Sequence, residues 1–251
     1  MADSARAVWR LVDSGLISPE RSAATDEAIL NARIRRVVPD TVHFYVRDRP
    51  CVSIGHNGAV GDSVDIGEAT RRGTEIIRRL SGGSAVYTDS GQLIFSLILT
   101  DTLLSANIEK SYSTVCSAIM AGLSALGVRA EHKLINDILV GGSKISGSAQ
   151  LRRGGAVLHH GTLMVDTDLD AIASVIRSAG GGRDVPKKLT CLRDLLGVAP
   201  DMRIVKSSIA KGIEDSFNVT LKPGQLISEE SAEIEELVEG KYRLREWNYR
   251  L

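Results

Sequence analysis

Residues 136–150 read Asn136-Asp137-Ile138-Leu139-Val140-Gly141-Gly142-Ser143-Lys144-Ile145-Ser146-Gly147-Ser148-Ala149-Gln150. Two short β-prone runs, 138–140 and 144–145, flank a Gly-Gly pair, which predicts a hairpin whose turn uses backbone that glycine adopts readily. Downstream, 156–165 extends the sheet. Upstream, runs at 75–80, 85–87 and 93–100 are joined by Ser81-Gly82-Gly83-Ser84 and Asp89-Ser90-Gly91. Further up, 43–46 and 51–54 are separated by the turn-prone Asp48-Arg49-Pro50, so the whole stretch reads as a meander. Thr25-Asp26-Glu27 opens a predicted helix, with acids in its first turn, that ends before Pro39. Between 107 and 126, Ile108, Val115, Ile119, Leu123 and Leu126 recur at helical steps, and Gly127 supplies the stop. Further helices are predicted at 168–177, 206–217 and 229–239, the last with Ser228 as cap and Ile234, Leu237 and Val238 on one face. Strands and helices without strict alternation predict an α+β fold with mixed, mainly antiparallel sheets.

A chain of 251 residues, 43% hydrophobic, is long enough for one large domain spanning 1–251. Its 31 basic and 31 acidic residues cancel, which gives no electrostatic reason to expect nucleic acid or a membrane surface as partner. The stretch from Met1 to Arg10 lacks an apolar h-region, and the apolar run 93–99 is broken by Ser96 and too short to span a bilayer. Cys51, Cys116 and Cys191 are odd in number and widely spaced, which suggests neither a disulfide framework nor a zinc cluster and fits a reducing cytoplasm. No Gly-x-Ser-x-Gly elbow, Walker-type loop or His-Glu-x-x-His occurs.

Two stretches could carry chemistry. In Arg78-Arg79-Leu80-Ser81-Gly82-Gly83-Ser84-Ala85-Val86-Tyr87-Thr88-Asp89, two cations precede a glycine loop able to bring backbone N–H groups close to an anionic ligand; a plain turn with surface arginines fits equally. In 136–150, Lys144 among small residues can reach an anion held near the backbone, and Asp137 can hold a divalent metal; an exposed strand lysine fits as well. His159 and His160 are adjacent on a strand, point to opposite faces and cannot chelate together, so His160 reads as a structural or pocket-lining residue. The acidic run 229–239 reads as a solvated helix face.

In this order and spacing the two stretches resemble the lipoate–protein ligase and octanoyltransferase family, which shares a fold with biotin–protein ligases. The resemblance also takes in Trp9-Arg10-Leu11-Val12-Asp13-Ser14, Thr25-Asp26-Glu27-Ala28, Pro50-Cys51-Val52-Ser53-Ile54-Gly55, His160-Gly161-Thr162-Leu163 and Lys241-Tyr242…Glu246-Trp247-Asn248. It implies a biotin/lipoate protein ligase-like catalytic domain of mixed, mainly antiparallel sheets flanked by helices. It further implies an ATP-dependent activity that makes lipoyl-AMP and transfers the lipoyl group to a lysine of an acceptor protein, with Mg²⁺ as cofactor and lipoic acid (or octanoate) as substrate. By the same resemblance Lys144 contacts the lipoyl carbonyl and the α-phosphate. Arg78, Ser81, Gly82, Gly83, Ser84, Ala85 and Tyr87, with Gly147, Ala149 and His160, would line the lipoyl-adenylate site. Asn136 and Asp137 would face the phosphates, Asp137 as metal ligand. The implied acceptor is a lipoyl domain of a 2-oxoacid dehydrogenase E2, a glycine-cleavage H protein or an H-like protein.

The sequence departs from the family pattern at Ser84, where a glycine is usual, at Thr88, where a histidine is usual, and at Ile94, where asparagine is common. Large ligases continue past the Trp-Asn element into an accessory domain, whereas this chain ends at Leu251, so a separate accessory subunit is expected. The rival activity within the resemblance is an acyl-carrier-dependent octanoyltransferase or lipoyl amidotransferase. Those enzymes attack a thioester through a cysteine just before the Asn-Asp position. Here that segment is Ala130-Glu131-His132-Lys133-Leu134-Ile135, without cysteine. A non-catalytic lipoyl-binding subunit is the remaining alternative.

Overall fold

Residues 93–99 alternate between two environments. Phe95, Leu97 and Leu99 enter the larger core, while Ile98 enters another beneath the first helix. The computed structural model describes residues 6–177 and 188–251; residues 1–5, part of the N-terminal stretch read for an export signal, lie outside the described residues. In chain order the elements are β1 (Ala7–Ile17), α1 (Pro19–Ile34), β2 (Thr41–Arg47), β3 (Cys51–Ile54), α2 (Val60–Ser63), α3 (Ile66–Arg71), β4 (Glu75–Arg78), β5 (Val86–Thr88), β6 (Gln92–Thr100), α4 (Ile108–Ala125), β7 (Glu131–Lys133), β8 (Asp137–Val140), β9 (Ser143–Arg153), β10 (Ala156–Met164), α5 (Leu169–Val175), α6 (Leu192–Leu196), α7 (Met202–Phe217), β11 (Val219–Pro223), α8 (Ser228–Leu237), a π-helical turn (Val238–Tyr242) and α9 (Arg245–Asn248).

The large sheet runs β11-β1-β2-β6-β10-β9-β8-β7, and a small sheet runs β4-β3-β5. Strand β1 is parallel to both neighbours; from β2 to β7 every pairing in the large sheet is antiparallel. One face of the large sheet is covered by α4 and α7, through Val115, Ile119 and Leu123 on one helix and Val205, Ile209 and Ile213 on the other. These helices cross at Gly122 and Gly212, where an added Cβ at Gly212 would lie 2.3 Å from the Ala118 carbonyl oxygen. The opposite face receives Ile29 and Leu30 of α1, and the small sheet receives Ala23, Ala24 and Ala28 of the same helix through Cys51 and Ile77. Three alanines on that side let the two sheets close around α1.

The structure corrects several sequence expectations. The meander is absent: β2 and β3 join different sheets, and β4 pairs parallel with β3 rather than with β5. The Ser81–Ser84 loop is therefore no hairpin turn. Helix α1 begins six residues early, with Ser18 Oγ accepting the Arg21 N–H and Pro19 in the first turn. Asp26 and Glu27 are then buried groups on its second turn, not first-turn acids facing solvent. The cap of α8 is Ile227, whose N–H donates to the Glu230 carboxylate at 2.9 Å, and Ser228 is the first helical residue. The 136–150 hairpin and the helix at 107–126 form as expected, with Gly141 and Gly142 both at positive φ and Asn107 capping α4.

Candidate active site

Register aligns one residue from each of five strands: Asp137, Gly147, Thr162, Ile94 and Tyr45, from β8 to β2. Beside it runs a second row, Ala149, His160, Ser96 and His43. Small side chains at Gly147, Ala149 and Thr162 leave room above the sheet, and α1, the small sheet and the Ser81–Ser84 loop roof it. The resulting cavity is about 880 Å³ with its open mouth included.

Asp26 organises the polar wall. Its Oδ1 accepts from His43 Nδ1 at 2.9 Å; its Oδ2 accepts from Ser96 Oγ at 2.8 Å, His160 Nδ1 at 3.3 Å and the Tyr45 hydroxyl at 3.4 Å. Burial works against the charge, yet the hydrogen bonds from His160 and His43 outweigh it and hold the carboxyl well below its ordinary pKa. With Nδ1 donating to Asp26, His160 Nε2 accepts from Ser81 Oγ at 2.6 Å. Ser81–His160–Asp26 has the connectivity of a nucleophile triad. Ser81, however, is fully buried and off the cavity wall, and its oxygen also accepts from Arg79 Nε at 3.1 Å. The chain of bonds orients His160, which does face the cavity.

Adjacent Arg78 and Arg79 end up in different places. Arg79 lines the cavity, donating to the carbonyls of Ser53, Gly82 and Ser84 at 2.6–2.8 Å, and burial pushes its pKa down to about 10. Arg78 points away and donates to the carbonyls of Gly55, His56, Gly58, Trp247 and Asn248. Of the other loop residues predicted for the site, Gly83 and Ser84 line the cavity, Gly82 is exposed beside it, and Ala85 and Tyr87 pack into the core of the small sheet. A Cβ on Gly55 would lie 2.0 Å from the Gly83 oxygen, so the loop rests directly on bare backbone.

At the mouth, Lys144 Nζ sits 2.6 Å from Asp137 Oδ1. Its backbone is held by the Lys188 carbonyl and the Thr190 N–H. Gly147 lies beneath its tip, where an added Cβ would meet Nζ at 2.7 Å. Asn136, Gly147, Ala149 and His160, all predicted for the site, line the cavity with Lys144, while Asp137 stands behind the lysine. Asn136 donates its amide to the Ser148 carbonyl at 2.7 Å. Among the described residues no cluster of three metal-ligating side chains occurs; Asp137, paired with Lys144, is the one carboxylate at this point, the minimum that Mg²⁺ uses when water and phosphate oxygens complete its shell. The departures Ser84, Thr88 and Ile94 all line the cavity. Arg79, read in the sequence only as one of two cations before the loop, and Asp26, read as a first-turn acid, do so too; Arg47 and Tyr45 also line it without having been singled out, their only signal a charge or hydroxyl within an otherwise apolar stretch.

Cys51, Cys116 and Cys191 are all buried and none lines the cavity. Burial pushes the first two thiols up to about 11 and about 12. His159, on the opposite face of β10 from His160, is buried edge-on to Tyr112, and neither ring nitrogen finds a partner among the described residues. Burial lowers its pKa to about 3. The unfolded chain takes up a proton near pH 6.5 and the folded chain does not, so this group's contribution to stability is lost as pH falls through that range. From an unfolded pKa of ~6.5 the loss is about 2 kcal/mol between pH 7 and pH 5. His159→Phe should flatten the acid side of the stability profile by that amount, read from urea midpoints; an unchanged slope would disprove the assignment.

Comparison with known proteins agrees with this architecture. A sequence profile described as lipoyl protein ligase A/B catalytic domain matches residues 18–214. Octanoyltransferase LipM of Geobacillus kaustophilus is 29% identical to this chain, the match covering 98% of this chain and 99% of that one. A chain from the archaeal lipoylation system of Thermoplasma acidophilum, a bipartite lipoate protein ligase and its E2 lipoyl domain, superposes with TM-score 0.85 at 26% identity, covering 97% and 96%. Lipoate-protein ligase A bound with ATP superposes with TM-score 0.82 at 26% identity, covering 97% and 98%.

Proposed function

The chain belongs to the lipoyl protein ligase A/B catalytic-domain family, and from that premise we propose that it activates lipoic acid with ATP and passes the acyl group to a lysine of a lipoyl-domain acceptor. One observation carries this reading: the cavity has Lys144 and Asn136 at its mouth, Asp137 behind the lysine, and none of the three cysteines on its wall. A carboxylate is a poor acylating agent toward an amine. Its oxygen therefore first attacks the α-phosphorus of ATP, and the bond to pyrophosphate breaks. Lys144 faces the negative charge on that phosphate, a preorganised donor where charge develops. The neutral amine of the acceptor lysine then attacks the acyl carbon, the bond to AMP breaks, and the surplus amine proton passes to solvent. Asp137 would hold Mg²⁺, which neutralises phosphate charge when bound. His160 and Ser84 flank the acyl chain and hold it for attack.

The ATP-bound ligase and the E2 lipoyl domain among the structural relatives support the nucleotide and the acceptor. The bipartite make-up of the Thermoplasma acidophilum enzyme supports a second polypeptide in the activation step. A second reading, transfer of octanoyl from a carrier thioester, is favoured by the relatives named octanoyltransferase LipM. It requires a nucleophile, and the three cysteines are buried with raised pKa values. The test is mass spectrometry of a lipoyl domain incubated with the full chain, Mg²⁺, lipoic acid and ATP, beside a reaction with octanoyl-carrier protein and no ATP. The expected result is ATP-dependent lipoylation that survives prior thiol alkylation. Transfer only from the carrier would replace the first reading with the second.

A further inference from the structure

We propose that Arg47 reads the far end of the acyl chain and selects an acid whose tail carries a hydrogen-bond-accepting heteroatom, as the dithiolane of lipoate does, over a plain octanoyl chain. The proposal rests on the acyl-transfer reading above and adds the determinant of its substrate. Depth in the cavity follows exposure. Gly83 and Ser84 are exposed and Lys144 keeps 26% of its side chain in solvent, whereas Arg47, Tyr45 and Thr88 keep only 4%, 2% and 2% of their surface. Topology gives the same direction. Lys144 stands on β9 and Arg47 on β2, three strand spacings apart, or about 14 Å across the sheet. The reacting carboxyl belongs at Lys144, so the tail of a bound acid ends beside Arg47.

Arg47 is a poor neighbour for a methyl group. Among the described residues no carboxylate pairs with it, although it lines the cavity, and its occluded Nε finds no acceptor either. Arg79, by contrast, has its donors placed on Ser81 and three backbone carbonyls. An alkyl terminus against the cavity side of this uncountered cation strips it of water and returns nothing, whereas a sulfur or oxygen at the same place can accept from the guanidinium. The same guanidinium already donates to a sulfur, with Nη1 3.3 Å from Cys51 Sγ. Guanidinium is weakly hydrated for a cation, which suits it to this setting.

Calorimetric titration of the full chain with lipoate, octanoate and 8-hydroxyoctanoate reads this selection without requiring turnover. Wild type should bind lipoate and the hydroxy acid roughly tenfold tighter than octanoate, equivalent to about 1.4 kcal/mol. In Arg47→Met the preference should collapse toward unity, chiefly through tighter octanoate binding. Arg47→Gln, which keeps an amide donor, should retain part of it and guards against a folding failure of the first variant. Octanoate bound by wild type as tightly as lipoate, or a ratio unmoved in both variants, would overturn the proposal; so would a preference for lipoate unshared by the hydroxy acid, which would trace it to ring shape. If no acid binds while nucleotide does, the acyl-transfer reading falls and takes this one with it.

Discussion

Lys144→Ala should lower acyl transfer to a lipoyl domain by at least about 10²–10³-fold in single-turnover assays, the range for loss of one preorganised donor at a developing charge. Stability should fall modestly. The Lys144 side chain is partly solvated, but Asp137 behind it is buried, so leaving that carboxylate without its cation should cost about 1–3 kcal/mol, roughly 3–10 °C in Tm for a chain of this size. The hairpin does not depend on the side chain, since the Lys144 backbone is held by Lys188 and Thr190. Lys144→Arg should fail to rescue transfer. The ammonium tip lies so close to Gly147 that even a Cβ there would meet it at 2.7 Å, and a planar guanidinium needs more room and places its donors differently. Nucleotide binding by calorimetry separates the two roles of the lysine. Weakened binding with transfer lost in proportion assigns it to phosphate capture, and intact binding with transfer lost assigns it to the reacting centre. Transfer at the wild-type rate would remove Lys144 from the mechanism.

Legibility in the sequence followed the range of the interactions. The hairpin at 136–150 and helix α4 are local: a Gly-Gly pair at positive φ and a three-and-four apolar period are written in consecutive residues. The strand partnerships of β2 to β5 are not. Asp48-Arg49-Pro50 reads as a hairpin turn, yet the Pro50 carbonyl accepts the Glu75 N–H, and the chain passes through α2 and α3 before β4 lies parallel to β3. Strand β1 went unread because its polar residues are consumed tertiarily, as when Arg10 meets the buried Glu230 at 2.6 Å. The site shows the same division. Lys144 and Asn136 were visible because they flank the hairpin. Asp26 was misread as a first-turn acid because its partners, His43, Ser96 and His160, lie on three other strands. For the Arg78-Arg79 pair, consecutive residues at a strand end face opposite ways, so only one can reach the cavity, and without the strand's register the sequence does not say which.

That ambiguity gives the largest expected effect on stability, from Arg78→Met. The guanidinium is 0% exposed, has no carboxylate partner among the described residues, and joins the turn at Gly55, His56 and Gly58 to Trp247 and Asn248 near the C-terminus. The C-terminal segment answers in kind, with the Trp247 indole donating to the Arg78 carbonyl and Asn248 Oδ1 accepting the Arg78 N–H. Burial depresses the arginine's pKa, but carbonyl dipoles on several sides keep the cation tolerable. Methionine fills much of the stem volume and satisfies none of the carbonyls. Leaving several buried acceptors unpaired should cost about 3–5 kcal/mol, and lower Tm by roughly 10 °C. The loss should be local first. Amide hydrogen exchange should rise at residues 242–251 and 55–58 before the large sheet opens, because the α4–α7 core makes no use of Arg78. Arg78→Lys should recover little, since a point ammonium cannot span carbonyls fixed in a fork. The opposite pattern, in which Tm and exchange stay at wild-type values while acyl transfer disappears, would return Arg78 to the ligand-binding role expected from the sequence and make Arg79 the structural member of the pair.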